Sequence, residues 1–307
     1  MARFLLLESN VGKVRYSNGT GELWYASCVA RELAKQIKEL GHEVIEVVAP
    51  SPEAANAAIR SYKPDVVWFV GHGLEDRTSL ELAKLWIKAP DYNVDVVRGT
   101  VVCAESCLTG AYLGKYAVAS GGASAYLGFT KEVMFMWCGE KVPCQCSGEN
   151  PWGVRPEVWQ VIVKAPHDAI FHFVIGLAKG LSLKQAYELA YNRFSYWIDY
   201  LSKIRYANDA EAAVARVAIW SLAWDANAMV LYARDASSSV VRVQAPAVQQ
   251  QAVAAPSPSI ARPVAVGATV GLFALPVTGD VRVALILGGL ATLASFLLGL
   301  RGRGKPA

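Results

Sequence analysis

Short apolar runs alternate with amphipathic stretches along the first 135 residues of the chain. The runs are rich in β-branched, leucine and aromatic residues and are bounded by glycine, proline or polar residues, which predicts strands. Five strands are predicted: Phe4–Ser9, Glu43–Pro50, Asp65–Gly73, Thr100–Ser106 and Ala123–Thr130. Because the runs are apolar on both faces and helical patterns separate them, they favour a doubly wound, mostly parallel α/β sheet with helices on both faces.

The stretches between the strands carry start and stop signals of helices. Apolar residues at helical spacing run from Leu23 to Leu40, and Gly41 follows as a stop. Ser51 stands where an N-cap is needed, with Pro52 at the first helical position. These signals predict two helices that connect parallel strands.

The following part of the chain is predicted to be mainly helical. The helical pattern extends from Glu157 to Leu201, with interruptions predicted at Pro166 and Gly180. Another helix is predicted from Asn208, a suitable N-cap, to about Trp224. The β-branched and aromatic residues of Asn227–Asp235 then predict a last strand that returns to the sheet edge.

The composition changes sharply after this strand. Residues 237–263 consist largely of Ala, Val, Gln, Ser and Pro, which predicts a flexible linker. Two apolar stretches follow, Val264–Val277 and Val281–Leu300; the second is long enough to span a bilayer, and the first, at 14 residues, is marginal. We therefore divide the chain into a folded domain, residues 1–236, the linker, and a membrane-anchor or sorting tail, residues 264–307.

Charge and hydropathy narrow the classes of partner. The chain of 307 residues is 53% hydrophobic with a mean hydropathy of +0.26, which indicates that part of it meets a membrane. The formal net charge of +4 is spread without a long basic run, so nucleic acid is not expected as a partner. The N-terminus has an apolar run too short for a secretory signal and is predicted to be a strand.

Six cysteines are too few for a disulfide-dense scaffold in a chain of this length. Cys28 and Cys103 lie in helix and strand patterns and are expected as reduced core thiols. Three more, Cys138, Cys144 and Cys146, lie in a predicted loop with no fourth ligand adjacent, so no structural zinc is expected. We expect no metal or other cofactor.

Two predicted strands end in residues that can do chemistry together. His72 follows one strand and Cys107 follows the next, so a parallel sheet would bring both to the same carboxyl edge. A neighbouring imidazole can accept the proton of a thiol and make it a nucleophile. Gly73 has no side chain, so its backbone N–H can approach a substrate carbonyl, and the Cys107 N–H is a second candidate oxyanion donor.

The sequences "WFVGHG" and "AESCLTG" in this order resemble the caspase-like cysteine peptidases, and "ASGGASAYLGFTKE" is most similar to the gingipain branch. The resemblance covers Phe4–Val133. It implies an endopeptidase that acts through an acyl-enzyme, with Cys107 as nucleophile, His72 as general acid/base, and oxyanion donors from Gly73 and Cys107. It also implies that Glu105 contributes to the substrate pocket and favours a basic residue before the scissile bond.

Other classes fit the motifs less well. In glutamine amidotransferases the histidine follows the cysteine and precedes an acid by two residues, a pattern that neither His167 nor His172 shows. The glycines of "GHGLED" do not form a dinucleotide-binding motif. The remaining alternative to an enzyme is a catalytically inactive caspase-like binding or signalling domain anchored to a membrane.

The tail supports two opposed locations. Leu275, Pro276, Val277, Thr278 and Gly279 form a motif that resembles the signal cleaved by sortases. It would place the domain on the cell surface, which requires an export signal other than the short N-terminal run. Alternatively, the two apolar stretches form a helical hairpin that keeps the domain and the basic "RGRGK" segment on the cytoplasmic side. Both alternatives predict attachment to a membrane or cell envelope, and the peptidase resemblance implies a protein or peptide substrate.

Overall fold

The computed structural model describes residues 1–9, 24–48, 50–74, 76–77, 79–81, 85–134 and 153–240. All of them belong to the first of two structural units, Met1–Gln244. The predicted tail, the linker beyond residue 240, and Cys138, Cys144 and Cys146 lie outside the described residues.

A six-stranded sheet forms the centre of the domain. Its strands are β1 (Arg3–Glu8), β2 (Glu43–Val48), β3 (Val66–Val70), β7 (Val101–Glu105), β8 (Ala125–Phe129) and β9 (Met229–Ala233). They are arranged in the order β2-β1-β3-β7-β8-β9, and all neighbours are parallel except β8 and β9. The α/β class and the mostly parallel sheet are therefore confirmed, and the last strand returns antiparallel at the edge.

Helices cover both faces of this sheet. They are α1 (Trp24–Glu39), α2 (Pro52–Tyr62), α3 (Leu113–Tyr116), α4 (Pro156–Ala178), α5 (Leu183–Lys203) and α6 (Asp209–Ala228). One face packs against α1, α4, α5 and α6, and the other packs against α2 and α3. The predicted N-caps are confirmed, because the side chains of Ser51 and Asn208 accept hydrogen bonds from the first turns of α2 and α6.

The predicted interruption at Pro166 is wrong, whereas the one at Gly180 is confirmed. Helix α4 continues through Pro166, because most of its side chains are buried. Burial of Trp159, Ile170 and Phe173 contributes about 1.5–3 kcal/mol for each side chain, and together they exceed the cost of about 3 kcal/mol for one internal proline. Among the described helices, α4 alone is long and apolar enough to cross a membrane, but it is a core helix of this domain.

A small second sheet was not predicted from the sequence. Strand β3 ends at Val70, and His72–Gly73 form β4, which pairs antiparallel with β5 (Ser79–Glu81). Strand β6 (Leu85–Lys88) completes the sheet beside β5. The histidine motif therefore starts a separate hairpin instead of prolonging β3.

Candidate active site

The register of the central sheet brings the two predicted motifs to one edge. Strands β3 and β7 are parallel neighbours, with Val70 opposite Glu105 at their carboxyl ends. The backbone N–H of Gly71 donates to the Glu105 carbonyl at 3.4 Å. His72 and Cys107 each follow two residues after this pair, so both lie at the same edge.

Gly73 packs directly against the turn that carries Cys107. A Cβ atom on residue 73 would overlap the Cys107 carbonyl oxygen and would lie 2.7 Å from Cγ2 of Thr109. Glycine is therefore the residue that this approach requires. The contact holds the His72–Gly73 hairpin against the cysteine turn, which is how the fold brings the two motifs together.

The residue after the cysteine adopts an uncommon backbone conformation. Leu108 has a φ of +61°, in the left-handed region that non-glycine residues rarely adopt. Its N–H donates to the Lys131 carbonyl at 3.0 Å, and its side chain is buried. These contacts maintain the sharp turn after Cys107, and such strain is concentrated at functional sites in proteins.

Cys103, in β7, and Cys107, two residues after β7, have different environments. Cys107 is half-buried, and its Sγ accepts a hydrogen bond from the backbone N–H of Val133 at 3.4 Å. Cys103 is fully buried, and burial, followed by the charge of Glu105, raises the pKa of its thiol well above its usual value. The expectation that Cys103 is a core thiol is confirmed, and Cys107 is the more exposed of the two.

Glu105 lies inside the domain. Its side chain is 7% exposed, and one carboxylate oxygen contacts Nδ1 of His167, which is itself buried. The second oxygen, Oε2, is buried without a hydrogen-bond partner among the described residues. The structure thus gives Glu105 an internal partner instead of an open position for contact with a substrate.

The sequence did not single out His167 as a partner of the cysteine strand. Its pairing with Glu105 joins α4 to β7 across 62 positions of the chain. Such a contact leaves no local pattern, and the one available signal was a polar pair, His167 and Asp168, within an otherwise apolar helix. Asp168 points elsewhere and accepts hydrogen bonds from Arg193 and Trp197 of α5.

A segment that we call the strap, Lys131–Met134, lies between the cysteine turn and α6. The Nε1–H of Trp224 donates to the Glu132 carbonyl at 2.9 Å, and Nζ of Lys131 lies 4.3 Å from the centre of the Trp224 ring. The Met134 N–H donates to Oδ1 of Asp225 at 2.8 Å. Two successive residues near the end of α6, Trp224 and Asp225, therefore hold the strap.

Asp225 is a second buried acid near the cysteine strand. It is fully buried, and its Oδ2 has no hydrogen-bond partner among the described residues. Burial and, to a smaller extent, the charge of Glu105 raise the pKa of the Asp225 carboxyl well above its usual value, against the lowering effect of the Met134 N–H. This acid was also missed by the sequence analysis.

The expectation that Cys28 is a reduced core thiol is wrong. Cys28 is half-buried and disulfide-bonded, and its partner lies outside the described residues. It lines an open groove of about 780 Å³ between α1, α4 and α5. Helical spacing alone therefore did not ensure that this thiol is buried.

Neither a metal site nor a comparison with known proteins adds to the assignment of function. Within the described residues, no group of three or more His, Cys, Asp or Glu side chains could hold a metal ion. No protein-family model matches the chain, and no curated protein matches it significantly. The assignment of function therefore depends on the residues and geometry of this edge of the sheet.

Proposed function

We propose that this chain is a cysteine endopeptidase of the caspase-like type, with Cys107 and His72 as its catalytic dyad. The observation that carries the proposal is the close approach of Gly73 to the Cys107 turn, which holds the histidine hairpin against the cysteine. The sharp turn at Leu108 and the half-buried position of Cys107 also support it. A structural thiol would require neither a glycine contact nor a strained turn.

The proposed reaction gives each of these residues a role. His72 accepts the Sγ proton as Cys107 attacks the scissile carbonyl carbon, and the carbonyl oxygen becomes an oxyanion. The backbone N–H groups of Gly73 and Cys107 are the proposed donors to that oxyanion, each of the kind worth about 2.7–4 kcal/mol. His72 then protonates the leaving amine, the C–N bond breaks and a thioester remains. Water activated by His72 hydrolyses the thioester and restores the thiol.

The preference for a basic residue before the scissile bond has less support than the reaction itself. It depended on Glu105 as a pocket acid, but this carboxylate is buried and contacts His167. We therefore propose that Glu105 is part of the support of the cysteine strand. A panel of peptides with Arg, Lys, Asp or Asn at that position measures the preference directly.

The location is proposed from the disulfide together with the tail. A disulfide at Cys28 is favoured in an oxidising compartment, because cytosolic thiols are kept reduced. Of the two locations that the tail allows, this favours the cell surface, with Leu275–Gly279 as a sortase signal. Protease shaving of intact cells tests it: the domain is degraded if it is outside and survives if it faces the cytoplasm.

A thiol-reactive peptide tests the proposed chemistry. An acyloxymethyl ketone probe should modify Cys107 in the native protein, and His72→Ala should abolish this labelling. His172→Ala is a matched control, because His172 is a half-buried histidine on α4 whose Nδ1 bonds Asp168. A folded protein in which Cys107 resists the probe, or in which both histidine variants label equally, would support the inactive binding domain instead.

A further inference from the structure

The Cys107 sulfur has a fixed hydrogen-bond donor in addition to any contact with His72. Its donor is the Val133 N–H of the strap, at an N···S distance of 3.4 Å. A backbone N–H directed at sulfur stabilises the thiolate more than the neutral thiol, because hydrogen bonds to charged acceptors are stronger. The position of the strap thus affects how readily Cys107 ionises.

Two neighbouring residues of α6 hold the strap in place. The Met134 N–H, which immediately follows the donor, is bound by Asp225, and the carbonyl of Glu132, which immediately precedes it, is bound by Trp224. The same strap is joined to the cysteine turn by the bond from the Leu108 N–H to Lys131. The Glu132 carbonyl belongs to the same peptide unit as the Val133 N–H, and the Met134 N–H belongs to the next unit, so the donor's own unit and its successor are both anchored.

We propose that Asp225 is a positioning residue for the nucleophile: by binding the Met134 N–H, it orients the Val133 N–H toward Cys107 Sγ and so stabilises the thiolate. Asp225 does not touch the sulfur and acts only through the strap. The buried position of its carboxyl fits this role, since a buried acid that serves as a fixed acceptor has no competing water. This inference deepens the proposed function and rests on Cys107 as its nucleophile.

Other ionisable groups also lie on the elements around the cysteine turn, and the test leaves them unchanged. They are His72 on β4, Glu105 on β7, His167 on α4, and Lys131 and Glu132 in the strap. Only Asp225 and Trp224 bind the strap from α6 among the contacts described. Substitutions at these two positions therefore separate the strap from the other groups.

The experiment measures the rate of iodoacetamide alkylation of Cys107 against pH, followed by mass spectrometry of the peptide that contains it. Asp225→Ala removes the acceptor, so the midpoint of the profile should rise by about one pH unit, the effect of one hydrogen bond to a charged group. Asp225→Asn retains an acceptor oxygen for the Met134 N–H, so its midpoint should stay at the wild-type value. Trp224→Phe should also raise the midpoint, because it releases the carbonyl of the peptide unit that carries the Val133 N–H.

Asp168→Ala is the matched control, because it removes another buried acid, bound by Arg193 and Trp197, away from the strap. Its midpoint should equal that of the wild type. An unchanged midpoint in folded Asp225→Ala, or an equal rise in Asp168→Ala, overturns the inference. Peptide cleavage is measured in parallel: absence of cleavage with the expected rise in midpoint contradicts the proposed function but leaves the role of Asp225 intact.

Discussion

Gly73→Ala is the substitution with the most direct structural consequence. The added Cβ would overlap the Cys107 carbonyl oxygen and lie 2.7 Å from Thr109 Cγ2, inside the 3.0 Å limit that real Cβ atoms observe. The hairpin and the cysteine turn would have to separate by about 1 Å or more, and a misplacement of that size costs about 100-fold in catalysis. We expect kcat/KM for a peptide substrate to fall by about 100- to 1,000-fold, which includes the loss of one oxyanion donor.

Stability should change much less than activity. Overpacking of this kind costs about 1–3 kcal/mol, which most domains survive. Urea unfolding measures this cost, and steady-state cleavage measures kcat/KM on the same preparation.

Gly41→Ala is the matched control: a Cβ there meets nothing within 4 Å, although φ is +80°. Its stability should fall by about 1–2 kcal/mol with unchanged kcat/KM. Equal activity of Gly73→Ala and the wild type would refute the proposal that catalysis depends on the contact between Gly73 and the Cys107 turn.

Three further predictions concern stability. His167→Ala should lower the free energy of unfolding by about 3–5 kcal/mol, because it leaves the Glu105 carboxylate buried without its partner, and urea unfolding of this variant measures the loss. Asp225→Asn should raise Tm at pH 7 but not near pH 3. Because the pKa of Asp225 is raised in the folded state, its contribution to stability is fully present below the unfolded pKa and is lost as the pH rises through the folded pKa, whereas Asn stays neutral at both pH values. Scanning calorimetry at the two pH values measures Tm, and an equal Tm difference at both would contradict this prediction. A reductant should lower Tm by cleaving the Cys28 disulfide, worth about 2–4 kcal/mol, and a variant with Cys28→Ser should show no response.

The elements with local signals were predictable from the sequence. Ser51 and Asn208 cap helices as expected because an N-cap depends on residues within one turn. The five parallel strands followed from apolar runs between helical patterns, and their carboxyl ends then had to share one edge. That edge is where the histidine and cysteine motifs were expected.

Contacts between distant parts of the chain were not predictable. The close approach of Gly73 to Cys107 depends on the hairpin β4–β5, whose strands of two and three residues are too short to show a period. Asp225 reaches Met134 across 91 positions, and no pattern in either segment indicates the other. At Pro166 a correct local signal was overridden, because packing of α4 on both sides outweighs the cost of one proline.

Detection of an acyl-enzyme on Cys107 tests the central claim most directly. The protein is mixed with an activated peptide ester, quenched in acid within the first turnover and digested, and the peptide that contains Cys107 is examined by mass spectrometry. The account predicts the mass of the acyl group on Cys107 in the wild type, its absence in Cys107→Ala, and loss of peptide cleavage in that variant. Cleavage that persists in Cys107→Ala, or acylation at another residue, would contradict it.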